Sequence, residues 1–442
     1  MFHLRVLRHP DFRNLFLGQA ASAVGDQVVI VALALYITAR TGSATDLGIV
    51  LLAQTLPLVL LLLFGGVWAD RGGGRDRVRI MIVCDLARAV LHAVLAALIL
   101  TGGASITEMV IIEALFGACR AFFQPAYSGL VPQTAPEELM QEARALSASS
   151  EHLAILVGPA LGTVLVLGLG AGEAFALDAA TFLVSAALLA RVTPRPRGRA
   201  STVTTTVWHE LRGGWMEVRS RPWVWVTIAA FTGALLCAYA PWYSLAPVIA
   251  RDHYGGAGLF GVLESVAGAG ALIGSFVGLR WRPRRPLLVG LVLMFLWPLQ
   301  NGVLALSAPE AVVIACATAT GFGFSLFGIW WEVALARFIP PAALSRVSAY
   351  DWMGSLALLP LGFALAGPLA AASSPQLVLG VGAAITFALM AIAILPRSTR
   401  ELAGSGSAQQ LAGDVGEEGG GETEVAHVDP LIGVVHKRRG LE

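Results

Sequence analysis

Arginine punctuates this chain into apolar blocks. Between residues 12 and 396, long stretches with few charges alternate with turns that are in turn rich and poor in arginine. A hydrocarbon slab about 30 Å thick takes roughly 20 apolar residues per helix. Inside it every backbone polar group must be satisfied within its own segment, so such runs fold as spanning helices. Twelve are predicted, near 12–38, 46–69, 78–101, 107–131, 144–168, 172–191, 223–250, 256–279, 286–307, 311–335, 344–371 and 375–396. Composition excludes a soluble alternative. Of 442 residues, 56% are hydrophobic and 13% charged, with a mean hydropathy of +0.72, where an ordinary soluble domain carries about a quarter charged.

The basic residues orient the spans, because short cytoplasmic loops retain Arg and Lys. All but four of the 30 fall before span 1, after spans 2, 4, 8 and 10, around the central linker or in the tail. The exceptions are Arg40 and Arg251 in opposite loops, and Arg88 and Arg120 inside spans. Both termini are therefore expected in the cytoplasm. No cleavable leader is read at the start, since residues 1–13 are polar and the first span is too long for a signal core. The predicted architecture is an all-α integral membrane protein with twelve transmembrane helices in two six-helix pseudo-repeats. Its parts are an N-terminal bundle (1–191), a linker (192–222), a C-terminal bundle (223–396) and a tail (397–442). In the linker, Trp208, Leu211, Trp215 and Val218 at helical spacing predict an amphipathic helix on the inner membrane face. The tail is Gly, Glu and Ser with little hydrophobicity, which predicts disorder.

The halves resemble one another. Pro125…Val131-Pro132…Leu139…Gly158-Pro159…Gly162 is echoed by Ile339-Pro340-Pro341…Leu344…Pro360…Gly362…Gly367-Pro368. Duplication of this kind is how secondary transporters are built. Other classes are excluded by what they require. A net charge of +1 offers no field for nucleic acid. Cys84, Cys119, Cys237 and Cys316 stand alone, which excludes a disulfide framework and a zinc site. The single lysine, Lys437, lies in the tail, so there is no P-loop, and the eight histidines form no H-E-x-x-H pair. Neither an enzyme nor a cofactor or metal protein is expected.

The segment Gly66-Val-Trp-Ala-Asp70-Arg71-Gly-Gly73-Gly-Arg75 resembles the loop signature of the major facilitator superfamily, with Trp68 for Leu and Gly74 for a basic residue. In physical terms Gly66 is expected to let two helices approach closely. The glycines supply a turn, and Asp70 offers a charge to a neighbouring helix N-terminus. Gly158-Pro159-Ala-Leu-Gly162 resembles the antiporter signature of the same superfamily, with Thr163 in place of its last glycine. A purely packing role for this small-residue face is the alternative. More finely, His9-Pro-Asp-Phe-Arg13, Gly25-Asp26, Ala121-Phe-Phe-Gln-Pro125, Trp331-Glu332 and Arg346-Val-Ser-Ala-Tyr-Asp351 resemble the branch of enterobactin-exporter-like and macrolide or multidrug proton antiporters. That resemblance implies export powered by the proton gradient.

Charges inside the membrane are the other route to a site, because each is costly unless paired or facing water. Asp26 lies about 14 residues into its span, or roughly 20 Å at 1.5 Å per residue, with no basic neighbour in sequence. Arg120 in span 4 is its expected partner, either as a separable proton-coupling pair or as a static tie. Glu113, Glu151 and His152 are further protonatable groups, and Glu264, the one acidic residue well inside the outer portion of the second half, is the runner-up to Asp26 for a proton or a cationic substrate. Asp85 with Arg88, and Asp178, read as structural pairing. His92 reads as a hydrogen-bonded filler. Glu332 and Asp351 are expected to contact basic loops as gate or scaffold. Trp242, Tyr243, Phe322, Phe324, Phe327, Trp330 and Trp331 suit either an amphipathic ligand or lipid. The expected protein is a monomeric exporter of a small amphipathic compound in a bacterial cytoplasmic membrane, its only other partner the bilayer. An importer or facilitator, or a nontransporting receptor, remains the alternative.

Overall fold

The computed structural model describes residues 5–71, 73–195 and 207–402, and all regular structure among them is helical. The first half comprises α1 (Pro10–Thr41), α2 (Ala44–Arg71), α3 (Gly74–Thr101), α4 (Ile106–Thr134), α5 (Met140–Gly168) and α6 (Ala171–Leu189). A linker helix α7 (Val207–Arg219) leads into α8 (Pro222–His253), α9 (Gly258–Arg280), α10 (Pro286–Ala305) and α11 (Glu310–Phe338). Next come α12, running as Pro341–Ala357 and Leu359–Ala372 on either side of Leu358, and α13 (Pro375–Ile394). Eleven of these are long and apolar enough to cross a membrane. The twelfth expected span is α4, with 29 residues, among them Glu113 and Arg120.

Local chemistry explains the helix ends. Pro10 opens α1 at a position where its missing N–H costs nothing. Gly42 closes the same helix at φ 65°, returning its N–H to the Thr38 carbonyl. At the start of α4, Ser105 and Glu108 cap each other. The Ser105 N–H donates to Glu108 Oε2 at 2.7 Å, and the Glu108 N–H donates to Ser105 Oγ at 3.3 Å.

The chain forms two compact units. The first contains the described residues up to 195 with Tyr239–Gly268 and Leu359–Leu379, and the second contains the remaining described residues. Lipid tails give helices no hydrophobic reason to associate, so close packing at small residues holds them. In the first unit α2 meets α4 at Gly65, which lies against the Ala121 carbonyl, and at Gly117, which lies against the Gln54 carbonyl. The signature glycine, Gly66, has nothing within 4 Å of where a Cβ would stand. Close approach therefore belongs to Gly65 and not to Gly66, because one residue is about 100° of helix and turns the position off the α4 face. α1 packs on α5 at Gly158 and Gly162 and on α6 at Gly18 and Gly25. Residues of the second half join this unit at the end opposite the arginine-rich loops. There Gly48 lies against the Phe363 carbonyl, Gly367 against Thr45, and Gly261 against Thr163.

In the second unit Gly270 and Gly274 of α9 meet the backbone of α11, and Gly382 of α13 meets the Cys237 carbonyl. Phe231 stacks on Phe327 at 4.7 Å. The linker helix packs on α12, with Gly214 against Arg346 and Tyr350 and Trp215 at 5.9 Å from the Tyr350 ring. Of the apolar positions expected to face lipid, Val218 is buried and Trp215 stays exposed beside Tyr350. The side chains of Trp208 and Leu211 lie outside the described residues. So does the tail beyond Leu402 on which disorder was expected, after a short helix Arg397–Glu401.

Candidate functional site

The first unit gathers its membrane-embedded charges around His92. The His92 ring is fully buried on α3, stacked on Phe116 at 4.3 Å and met edge-on by Phe175 at 5.4 Å. Its Nδ1 stands 2.5 Å from Asp178 Oδ2 of α6, and its Nε2 stands 3.7 Å from Glu113 Oε1 of α4. Glu113 is held from its other side by Gln54 of α2, whose Nε2 donates to Oε2 at 2.7 Å. One helical turn before His92, Arg88 pairs with Asp85 and lays its guanidinium over Phe182 at 4.2 Å and Phe123 at 4.3 Å. Stacking of this kind stabilises a cation that water cannot reach.

Asp26 belongs to this cluster and not to Arg120. Gly25 brings α1 so close to α6 that a Cβ there would collide with Asp178 and Thr181. The charge of Asp26 is accordingly felt by both Asp178 and Asp85. Among the described residues Asp26 and Arg120 form no ion pair. The α1 face bearing Gly25 turns to α6, where Asp26 comes within electrostatic reach of Asp178 and Asp85, while α4 packs on α2 and α3. The Oδ1 of Asp26 is buried without a hydrogen-bond partner.

Arg120 instead lies within electrostatic reach of the Tyr239 hydroxyl, in a second group of the same unit. Tyr239 closes a π-helical segment, Leu235–Tyr239, that interrupts α8. Such an inserted turn rotates the residues after it relative to those before, and it is frequent at functional sites. The rotation delivers Trp242 and Tyr243 to Glu264 of α9. Trp242 Nε1 donates to Glu264 Oε1 at 2.7 Å and Tyr243 Oη donates to Oε2 at 2.8 Å, while Tyr239 and Tyr243 rings lie 4.6 Å apart. Glu264 is half-buried. In the second unit Asn301 Nδ2 donates to the Ala238 carbonyl at 3.2 Å, satisfying a backbone oxygen within the π segment.

The signature residues are scattered. Asp70 and Arg71 end α2, and their side chains lie outside the described residues, as does Gly72. Gly73 precedes α3 and donates its N–H to Asp76 at 3.1 Å, and Arg75 is exposed. In α5, Gly158 and Gly162 are contact points with Gln27 and Val28 of α1, and Pro159 is buried between them. Thr163, which replaces the last glycine of that signature, is accommodated by a glycine on the facing helix, Gly261. Glu151 is exposed on α5 within electrostatic reach of Tyr127, and the side chain of His152 lies outside the described residues. Asp351 is bound by Trp331, whose Nε1 donates to Oδ2 at 2.9 Å, and Glu332 beside it is exposed. Among the described residues neither carboxylate pairs with a basic loop, because the indole reaches Asp351 first. Arg40 donates to Tyr36 Oη at 3.2 Å and to the Gly103 carbonyl at 3.5 Å, and Arg251 pairs with Asp252 at 2.8 Å and donates to the Thr38 carbonyl at 3.4 Å.

Sequence reading missed Gln54, Tyr239 and the π segment. Pro241, two residues past Tyr239, is the one signal near that break, and it marks no rotation by itself. The model of the Major Facilitator Superfamily matches residues 15–355. Macrolide efflux protein A of Streptococcus pyogenes is 25% identical over 362 residues, covering 80% of this chain and 88% of that protein. Multidrug efflux pump Tap of Mycolicibacterium fortuitum is 28% identical over 400 residues, covering 85% of this chain and 95% of the pump. The solved structure of the nucleoside transporter NupG aligns with a TM-score of 0.60 over 86% of this chain and 98% of its own, at 14% identity, a likeness of fold alone.

Proposed function

Because this chain belongs to the major facilitator superfamily, we propose that it exports a small amphipathic organic compound by alternating access, in exchange for protons. Glu264 carries this reading. Its two carboxylate oxygens are held by neutral donors, Trp242 and Tyr243, and among the described residues no cation lies within ion-pair distance. A carboxyl group so placed, half-buried among aromatic rings, offers apolar faces to an amphipathic compound and one acidic group to a cation or a proton. The relatives that match most of the chain are named for macrolide and multidrug efflux, which supports export over import.

Alternating access needs helix faces that part cleanly. The contacts of Gly48 with the Phe363 carbonyl and of Gly367 with the Thr45 backbone are made at glycines, which bring no side chain of their own to disengage. They lie at the arginine-poor end, the external end if arginine marks the cytoplasm. In this reading the protein works as a monomer in the cytoplasmic membrane, with both termini inside, and needs no cofactor beyond the proton gradient.

The test uses everted vesicles energised to an acid interior, with a pH probe, as drugs, dyes and siderophores are added singly. A compound that discharges the gradient through the wild-type protein, and not through Glu264→Gln, is the expected result. Discharge unaltered in Glu264→Gln removes Glu264 from the site, and movement of the same compound with no gradient discharge refutes proton exchange.

A further inference from the structure

Charge arithmetic around His92 leads to a proton site that the transport reading alone does not locate. Four carboxylates approach one another in the first unit: Asp26 from α1, Asp85 from α3, Glu113 from α4 and Asp178 from α6. Facing them among the described residues are Arg88 and His92 from α3 and the neutral Gln54 from α2. Even with His92 protonated the group would carry two negative charges in excess. Asp85, Glu113 and Asp178 are fully buried. An uncompensated charge in such a place is strongly disfavoured, so the cluster holds protons.

Geometry narrows where. Asp85 is neutralised by Arg88, and Asp178 takes the Nδ1 side of His92. What remains is a pair of atoms that face each other across 3.7 Å, His92 Nε2 and Glu113 Oε1, each fully buried and each without a hydrogen-bond partner. Two buried polar atoms left unsatisfied are costly. One proton shared between them converts both into a charge-assisted hydrogen bond. The imidazole cannot turn away, being clamped between Phe116 and Phe175 and tied to Asp178. Asp26, half-buried, within electrostatic reach of Asp178 and with its own Oδ1 unpartnered, is placed to pass a proton inward.

We propose that His92 and Glu113 together bind the exchanged proton inside the first unit, with Asp178 fixing the imidazole and Asp26 relaying the proton to it. That this is the proton exchanged for the exported compound rests on the transport reading above. That the pair takes up a proton does not.

Infrared spectra of the detergent-purified full chain, titrated between about pH 5 and pH 10 so as to span the ordinary histidine range and the region above it, test the pair directly. In the pH-difference spectrum the carboxylate stretch of Glu113 is expected to shift as the proton enters the pair in the wild type, to be missing in Glu113→Gln, to lose its pH dependence in His92→Gln and to titrate as in the wild type in Glu332→Gln. A wild-type spectrum from which Glu113→Gln removes nothing overturns the proposal. If Glu113→Gln fails to fold, an unchanged titration in His92→Gln overturns it equally. Coupling is then read in vesicles with ethidium, a cationic amphipathic dye. Glu113→Gln is expected to keep downhill ethidium exchange and to lose accumulation driven by the proton gradient. Retained accumulation refutes the pair as the coupling site while leaving proton exchange intact. A wild type that shows the infrared titration and no gradient dependence refutes the transport reading and leaves the proton site standing.

Discussion

Replacing Gly65 and Gly66 separately by alanine sets the packing seen in the structure against the expectation from the loop signature. Alanine in a helix interior is favoured over glycine by about 0.5–1 kcal/mol, from backbone entropy. At position 66 nothing opposes that gain, since a Cβ there meets no atom within 4 Å. At position 65 the new methyl would run into the Ala121 carbonyl oxygen, with the carbonyl carbon at 2.9 Å and Phe122 Cα at 3.0 Å. These are backbone atoms of a neighbouring helix, so no rotamer change relieves them and α2 must move off α4. Overpacking of this kind costs about 1–3 kcal/mol, which exceeds the propensity gain. The expected outcome is a net loss of about 1–2 kcal/mol for Gly65→Ala beside unchanged or raised stability for Gly66→Ala. Equilibrium unfolding of the detergent-purified protein in mixed micelles of increasing dodecyl sulfate content, followed by tryptophan fluorescence, measures both. Equal unfolding midpoints for the two variants would refute the argument, and a larger loss at Gly66 would restore the signature glycine as the contact point.

Two further outcomes follow from buried partners. Arg88→Met leaves Asp85 fully buried beside no cation and is expected to lose about 3–5 kcal/mol, most of it recovered when Asp85→Leu is added. The same unfolding assay checks it, and an equally unstable double variant would show that Arg88 matters for its aromatic contacts and not for Asp85. Trp331→Phe removes the donor to Asp351 and is expected to cost about 1 kcal/mol, whereas Asp351→Asn keeps an acceptor and stays near wild type. An Asp351→Asn variant as unstable as Trp331→Phe would mean that the charge, and not the hydrogen bond, is what the fold uses.

The number and position of the spanning helices were legible in the sequence because they depend on local quantities. Run length and hydropathy placed residues 286–307 and 375–396, and the structure has Pro286–Ala305 and Pro375–Ile394 there. Arginine distribution separated one set of loops from the other. Which residues meet was not legible. A helix bathed in lipid is apolar all round, so it lacks the polar and apolar faces by which a soluble helix announces its inward side. Hence Gly65 could not be told from Gly66 as the contact. Hence too Asp26 was matched with Arg120, when the fold brings its charge to Asp178 and Asp85. His92, read alone, is a filler, and only the fold brings it to Asp178, 86 residues away, and Glu113 to Gln54, 59 residues away. Glu264 was visible as a lone acid, while its partners depended on the π segment that turns Trp242 and Tyr243 toward it. Apolar run length and loop charge by themselves determined that this chain crosses a membrane and how many times. Only the tertiary structure decided which charges share a pocket, because in a low-dielectric interior that depends on the rotation of each helix about its own axis, which neighbouring helices set through the shapes of their small residues.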